Sequence, residues 1–311
     1  MSLFPDGLFQ YGGVPVSSGP RLRTGNVYFV DSNNGSDAND GKRKNRAFAT
    51  LDAAIGATTA NNDDVIYVLA RHSETITGAG GITVDKAGIS IVGLGQYDTR
   101  PTFLMDASTA VTMLVTAANC TIENLKFVAG HADIAVFGTI SAKGTIFKKC
   151  WWEENTAGEN WLVGISAGAD NNDYDGLQVL HCTYDSVDAA NKDFIVLNKD
   201  SRDVRIIGNY ITGQFAASPY APIYSPSTEV HKNIFVTDNI IHNLHNGNAA
   251  VGISIANTAS TGAIVRNLVG HQDAADETPI LAGAAGLFVA ENYASGVLGT
   301  ASGYLYPAVD S

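Results

Sequence analysis

The sequence predicts an all-β chain wound as a single-stranded right-handed parallel β-helix, with a short N-terminal capping helix and an extended N-terminal arm in front of it. Three observations lead there. From Asp64 onward short β-branched runs follow one another without helical periodicity. A motif centred on Asn or Cys returns at a nearly constant spacing, and 32 glycines supply turns between the runs.

Composition bounds the rest. With 45% hydrophobic and 16% charged residues, the 311-residue chain has ample material for a core. Its net charge of −12 opposes a phosphate backbone, so no nucleic-acid partner is expected. Residues 21–46 are locally basic. Three widely spaced cysteines, Cys120, Cys150 and Cys182, suggest neither a disulfide framework nor a zinc site. The start lacks the pattern of a secretory signal, and no apolar run reaches the roughly 18 residues of a membrane span. The expectation is a soluble protein, made in a cytoplasm, with no membrane partner and no cofactor.

Taken in order, residues 1–26 form the arm. Pro5, Pro15, Pro20 and Gly12-Gly13 break any helix, while Phe4, Leu8, Phe9, Tyr11, Val14 and Val16 are apolar, with Arg21 and Arg23 behind them. Such a segment either finds a partner surface or folds back along its own body. Residues 27–63 form the entry. The run VYFV leads into an Asx-rich turn in which Asp31, Asn33, Asp37 and Asn39 alternate, but no Glu stands at the twelfth position of a calcium loop. Then 47–55 reads as a helix with Thr50 as cap and Asp52 in the first turn, placed to cover the open first coil.

Residues 64–299 form the rod and 300–311 a tail. Strands are expected at 65–69, 81–84, 89–93 and 111–115. The repeat then aligns Asn124, Cys150, Cys182, Asn209, Asn239, Asn267 and Asn292, at spacings of 26, 32, 27, 30, 28 and 25 residues. Asn tolerates the left-handed conformation of a tight corner, and stacked amides can bond from coil to coil. Cys is then a small buried substitute. Eight or nine coils about 4.8 Å apart make a rod on the order of 40 Å long.

The strings VYFVDSNNGSDANDGKRKNRAFATLDAAI (27–55) and DDVIYVLARHSETITGAGGITVDKAGISIVGLGQYDTRPTF (63–103) resemble the entry coils of pectate-lyase-like right-handed β-helix proteins, over roughly residues 27–300. That fold hosts lyases, hydrolases, adhesins and structural proteins alike. The start FPDGLFQYGGVPV before a β-helix is similar to small phage virion proteins, in particular trimeric capsid decoration (cement) proteins. This second resemblance implies a homotrimer on the outer surface of a virion, with the major capsid protein as partner.

Carboxylates for polysaccharide cleavage are best sought among Asp185, Asp188, Asp200, Arg202 and Asp203, beside the acidic loop Asp170, Asp173 and Asp175. GHAD (130–133) and GHQD (270–273) lack the rest of a polygalacturonase motif. His231, His242 and His245 read as turn and surface histidines, since a three-residue spacing in a strand puts two of them on opposite faces. Adjacent Trp151 and Trp152 must also face opposite sides; an outward Trp, with Trp152 the residue singled out, suits an interface or a host glycan. No nucleophile motif appears. Three readings follow: a capsid decoration protein anchored by its arm, a tailspike-type polysaccharide depolymerase, and a noncatalytic glycan-binding adhesin.

Overall fold

The computed structural model describes residues 9–11, 14–16, 25–156, 158–187, 191–215, 220–244, 251–271, 280–283, 286–295 and 304–305. The chain winds through three parallel sheets. The first has ten strands, from Val27–Val30 and Val65–Val68 to Leu287–Ala290. Among the described residues the second has nine parallel strands, from Ser73–Ile76 to Tyr293–Ser295, and a tenth, antiparallel strand at Tyr304–Leu305. The third has eight, from Ile82–Val84 to Ile280–Ala282. Each coil visits the second, third and first sheet in turn, so every strand pairs with its equivalent one coil away. This is the expected right-handed parallel β-helix.

Alternation within each short strand sends one row of side chains inward. In the first sheet Ile91, Ile122, Phe147, Val179, Ile206 and Val236 stack in register, all fully buried. In the second the row is Phe103, Phe127, Trp152, Tyr184, Ile211 and Ile241. Ring centroids there lie 5.8 Å apart for Phe103–Phe127 and 5.6 Å for Phe127–Trp152. Each such side chain contributes about 1.5–3 kcal/mol of burial, and only the neighbouring coils can supply it. Trp152 and Trp161 are therefore core residues, and the outward member of the Trp pair is Trp151. Glycan contact by Trp152 is thereby corrected.

The helix is Leu51–Ala57, slightly later than the periodicity suggested. Thr50 caps it, its Oγ1 accepting from Ala53 N at 3.3 Å. It lies over the first strand of the third sheet, where Thr83 N donates to Asp52 Oδ1 at 3.2 Å. The Asx-rich turn holds its start: Asp37 accepts from Ala49 N, Thr50 N and Thr50 Oγ1. In the arm, Phe9–Tyr11 pairs antiparallel with Val14–Val16 through their backbones. Phe4, Leu8, Arg21 and Arg23 lie outside the described residues, as do the side chains of Phe9, Tyr11, Val14 and Val16.

The ladder is present with a change of register at its start. Asn209 N donates to Asn239 Oδ1, Asn239 N to Asn267 Oδ1 and Asn267 N to Asn292 Oδ1, at 2.9–3.0 Å. The side-chain nitrogens of Asn209, Asn239, Asn267 and Asn292 reach back to the carbonyls of Val179, Ile206, Val236 and Ile264. Cys182 N joins by donating to Asn209 Oδ1, and Cys150 stacks before it. In the first coil of this series the position belongs to Leu125, which is buried, and not to Asn124. Asn124 instead matches Lys149, His181, Gly208, Asp238, Arg266 and Glu291, and these, not the ladder residues, adopt the left-handed conformation at φ of 52 to 67°. The corner thus separates two jobs: one residue turns the chain outside, and the next bonds inside. Cys120 belongs to neither, lying buried one strand earlier beside Ile89 and Thr145.

Candidate functional site

The carboxylates proposed as one patch occupy different faces. Asp185 lies on the outer face of the second sheet, in register with Glu153 one coil before. Burial, then the neighbouring Glu153, raises its carboxyl above the usual range. Glu153 is also held by Lys126 Nζ at 2.5 Å. Asp200, Arg202 and Asp203 sit at the corner between the third and first sheets, where they tie coils together. Asp200 Oδ1 accepts from Val230 N, Asp175 Oδ1 from Arg202 N, and Asp203 Oδ1 from Asn233 Nδ2. Asp200 and Asp175 thus hold backbone N–H groups and Asp203 a neighbouring side-chain amide, which ties the corner turns together. Asp188 lies outside the described residues.

His231 corrects the expectation of a surface histidine. It is fully buried, with Ser201 Oγ at 2.8 Å from Nδ1 and Ser225 Oγ at 2.6 Å from Nε2. Burial lowers its pKa to about 4, against a smaller opposing effect of Asp200, so the ring is neutral at physiological pH. Ser-His contacts of this kind suggest a nucleophile, but all three residues are closed off from solvent and link two successive coils. His242 lies on the outer face of the second sheet, 6.0 Å from the ring of Tyr210, and His245 is outside the described residues. Among the described residues no group of three or more His, Cys, Asp or Glu is placed to hold a metal.

The structure instead forms a cleft at the ladder corner, near the N-terminal end of the rod. Residues 94–100 leave the coil as a loop containing a turn of 3-10 helix at Tyr97–Thr99. Together with Glu123, Asn124 and Lys149 the loop encloses about 370 Å³. Asn124, displaced from the ladder, pins it by donating to Gly93 O at 2.7 Å and Gly95 O at 2.9 Å. Gly95 is required there: at φ +113° a Cβ would stand 2.3 Å from Thr99 O. Tyr97 holds an uncommon φ of +48° for an aromatic residue and is 80% exposed. Arg100 packs 5.7 Å from the centroid of Trp151, whose ring also has Lys126 Nζ at 4.9 Å. Both Arg100 Nε and Trp151 Nε1 are buried without a hydrogen-bond partner. Sequence periodicity could not reveal this cleft, because it depends on which coil carries a loop at the corner.

Among solved structures the chain is similar to a rhamnogalacturonan lyase, with 15% identity and a TM-score of 0.48 over 81% of this chain and 75% of that one. It is also similar to the GH136 lacto-N-biosidase from Eubacterium ramulus, at 12% identity and a TM-score of 0.39 over 86% and 68%. The likeness is one of fold. It transfers no chemistry. No family model and no curated protein sequence matches the chain.

A second surface stands out in the C-terminal half of the β-helix. On the outer face of the second sheet Tyr210, Ile240, Leu268 and Tyr293 follow one another in register, each 40–52% exposed. Around the corner, on the first sheet, Phe235 and the 66% exposed Phe288 line a shallow groove with Ile207 and Val265. Between the two rows the corner is fixed by a bidentate ion pair, Arg266 Nε and Nη2 to Asp238 at 2.7 and 2.8 Å. Isolated exposed apolar residues are ordinary on protein surfaces. An aligned row along several coils is a different matter, since it offers a contiguous patch to a partner.

Proposed function

We propose that the chain is a noncatalytic structural protein that works as a homotrimer on the outside of a virion, its N-terminal arm docking on the major capsid protein. The observation that supports this reading best is the apolar row Tyr210–Ile240–Leu268–Tyr293. Its period is the coil spacing, so parallel copies packed about a common axis would bury the same row from each subunit and continue it along the rod. Burial of apolar area at about 25 cal/mol per Å² would then hold both the trimer and the shell it bridges. Separation of Asp185 from Asp200 and Asp203 is consistent with a rod selected for packing.

Light scattering during size-exclusion chromatography tests the trimer. The parent chain should elute at three times the monomer mass, and Ile240→Asp with Leu268→Asp should elute as a folded monomer. A monomeric parent sinks the reading. Capsid docking is tested separately by deleting residues 1–20, which should abolish co-sedimentation with capsids while leaving the circular dichroism of the rod unchanged.

One observation favours a second reading, a polysaccharide-cleaving enzyme of the tailspike type. Glu153 and Asp185 stand on adjacent coils, and strands about 4.8 Å apart bring carboxylates near the roughly 5 Å separation of a retaining glycosidase. Turnover of a capsular polysaccharide that is lost in both Glu153→Gln and Asp185→Asn would establish it.

A further inference from the structure

We propose that the outer face of the first sheet, along the column Arg205–Phe235–Ala263–Phe288, is a docking surface for a second copy of this chain, and that the copy presents its second-sheet row. This pairing rests on the trimer reading and names what the row meets. Around a three-fold axis a surface touches its own copy only on the axis itself, and every other contact joins two different surfaces. The row Tyr210–Ile240–Leu268–Tyr293 therefore needs a complement.

The two surfaces begin together. Arg205, Phe235, Ala263 and Phe288 follow one another in register, and one coil earlier their position is held by the polar Gln178. The second-sheet row starts at Tyr210, with the polar Thr183 one coil earlier. Both occupy the same coils and flank one corner, where Arg266 is paired with Asp238. A rotation moves nothing along its axis, so with the axis parallel to the rod the equivalent coils of all subunits share one height. Each row residue then faces the column residue of its own coil on the neighbour.

The relief matches layer by layer. Phe235 and Phe288 stand two coils apart, roughly 10 Å, with Ala263 between them as a hollow. Leu268 is the row residue at that level and fills it. Ile240 meets Phe235, and Tyr293 meets Phe288 as an aromatic pair. In the remaining layer the column carries a cation, the exposed Arg205, and the row carries a ring, Tyr210, on which a guanidinium stacks. The same contact covers Phe288, which a seam made of the row alone would leave 66% exposed.

Cross-linking of the full chain tests the pairing. Ala263→Cys/Leu268→Cys is mildly oxidised, free thiols are blocked, and non-reducing electrophoresis is read beside light scattering. Within one subunit the two positions face outward from different sheets, so a disulfide joins two copies. Covalent dimers and trimers should form in the double variant and in neither single one. Linking by Leu268→Cys alone, or a double variant that is trimeric yet unlinked, overturns the pairing and leaves the trimer standing. A monomeric parent overturns both. Phe288→Asp gives a second measurement that needs no disulfide and decides the matter if the double variant does not assemble. It should keep the parent's circular dichroism and weaken assembly at least about tenfold, whereas parent-like assembly overturns the proposal.

Discussion

Asn239→Ala should lower the free energy of unfolding by about 4 kcal/mol, read as a shift of the guanidinium midpoint at constant m-value. Asn239 sits in mid-ladder. Its Oδ1 accepts from Asn209 N and Asn209 Nδ2, and its Nδ2 donates to Ile206 O and Asn267 Oδ1. Truncation takes an acceptor from a buried backbone N–H and a donor from a buried carbonyl, each worth about 1–3 kcal/mol, and leaves a small void. Asn124→Gly is the matched control. It keeps the left-handed corner and loses only the two loop contacts to Gly93 and Gly95, so its cost should stay near 1 kcal/mol. Equal losses from the two substitutions would mean that Asn124 bears ladder bonds after all.

Asp193→Asn should stabilise the protein by up to about 4 kcal/mol at pH 8 and by almost nothing at pH 4. Asp193 is 2% exposed, and burial pushes its pKa up to about 7, with smaller opposing effects from the Ala221 N–H and Lys192. A carboxyl whose folded pKa exceeds its unfolded value of 3.8 favours the folded state fully below that value. The advantage is lost progressively as the pH rises toward about 7 and is gone above it. The amide removes the titration while keeping an oxygen for Ala221 N, which donates to Asp193 Oδ1 at 3.0 Å. His231 has the opposite sign. Its pKa, lowered from 6.5 to about 4, removes stability as the pH falls through that window. In Asp193→Asn, therefore, stability should rise from pH 4 to 6.5 and then level off. A difference between variant and parent that does not vary with pH would show that Asp193 does not titrate near neutrality.

The fold was legible because a β-helix repeats its physics once per coil. Inward rows such as Ile91–Ile122–Phe147 and the Asn series from 209 to 292 announce the architecture without any long-range information. Legibility failed where neighbouring residues exchange roles. Asn124 and Leu125 differ by one position, and only the pairing of Thr121–Glu123 with Ile146–Lys148 decides which of them faces inward. Trp151 and Trp152 posed the same problem, settled by Phe127 lying opposite Trp152. The candidate site was less legible still. Sequence proximity gathered Asp185, Asp200 and Asp203 into one patch, but the coil passes through the third sheet between the first of them and the other two. Tyr97 and Arg100 carry no motif, and their meaning comes from a loop whose neighbours across the corner, Glu123, Asn124 and Lys149, belong to the next two coils.

Cys150 and Cys182 stack on adjoining coils at the start of the ladder, both free and both closed to solvent. A thiol reagent can reach either sulfur only after its own coil has parted from the next. Their labelling rates in the native protein are therefore two clocks, set one coil apart, on a rod whose cohesion is a chain of nearest-neighbour contacts. Equal rates would mean that the rod opens as one body. If it frays from an end, the two clocks should run at different speeds, and their order would name the end that loosens first.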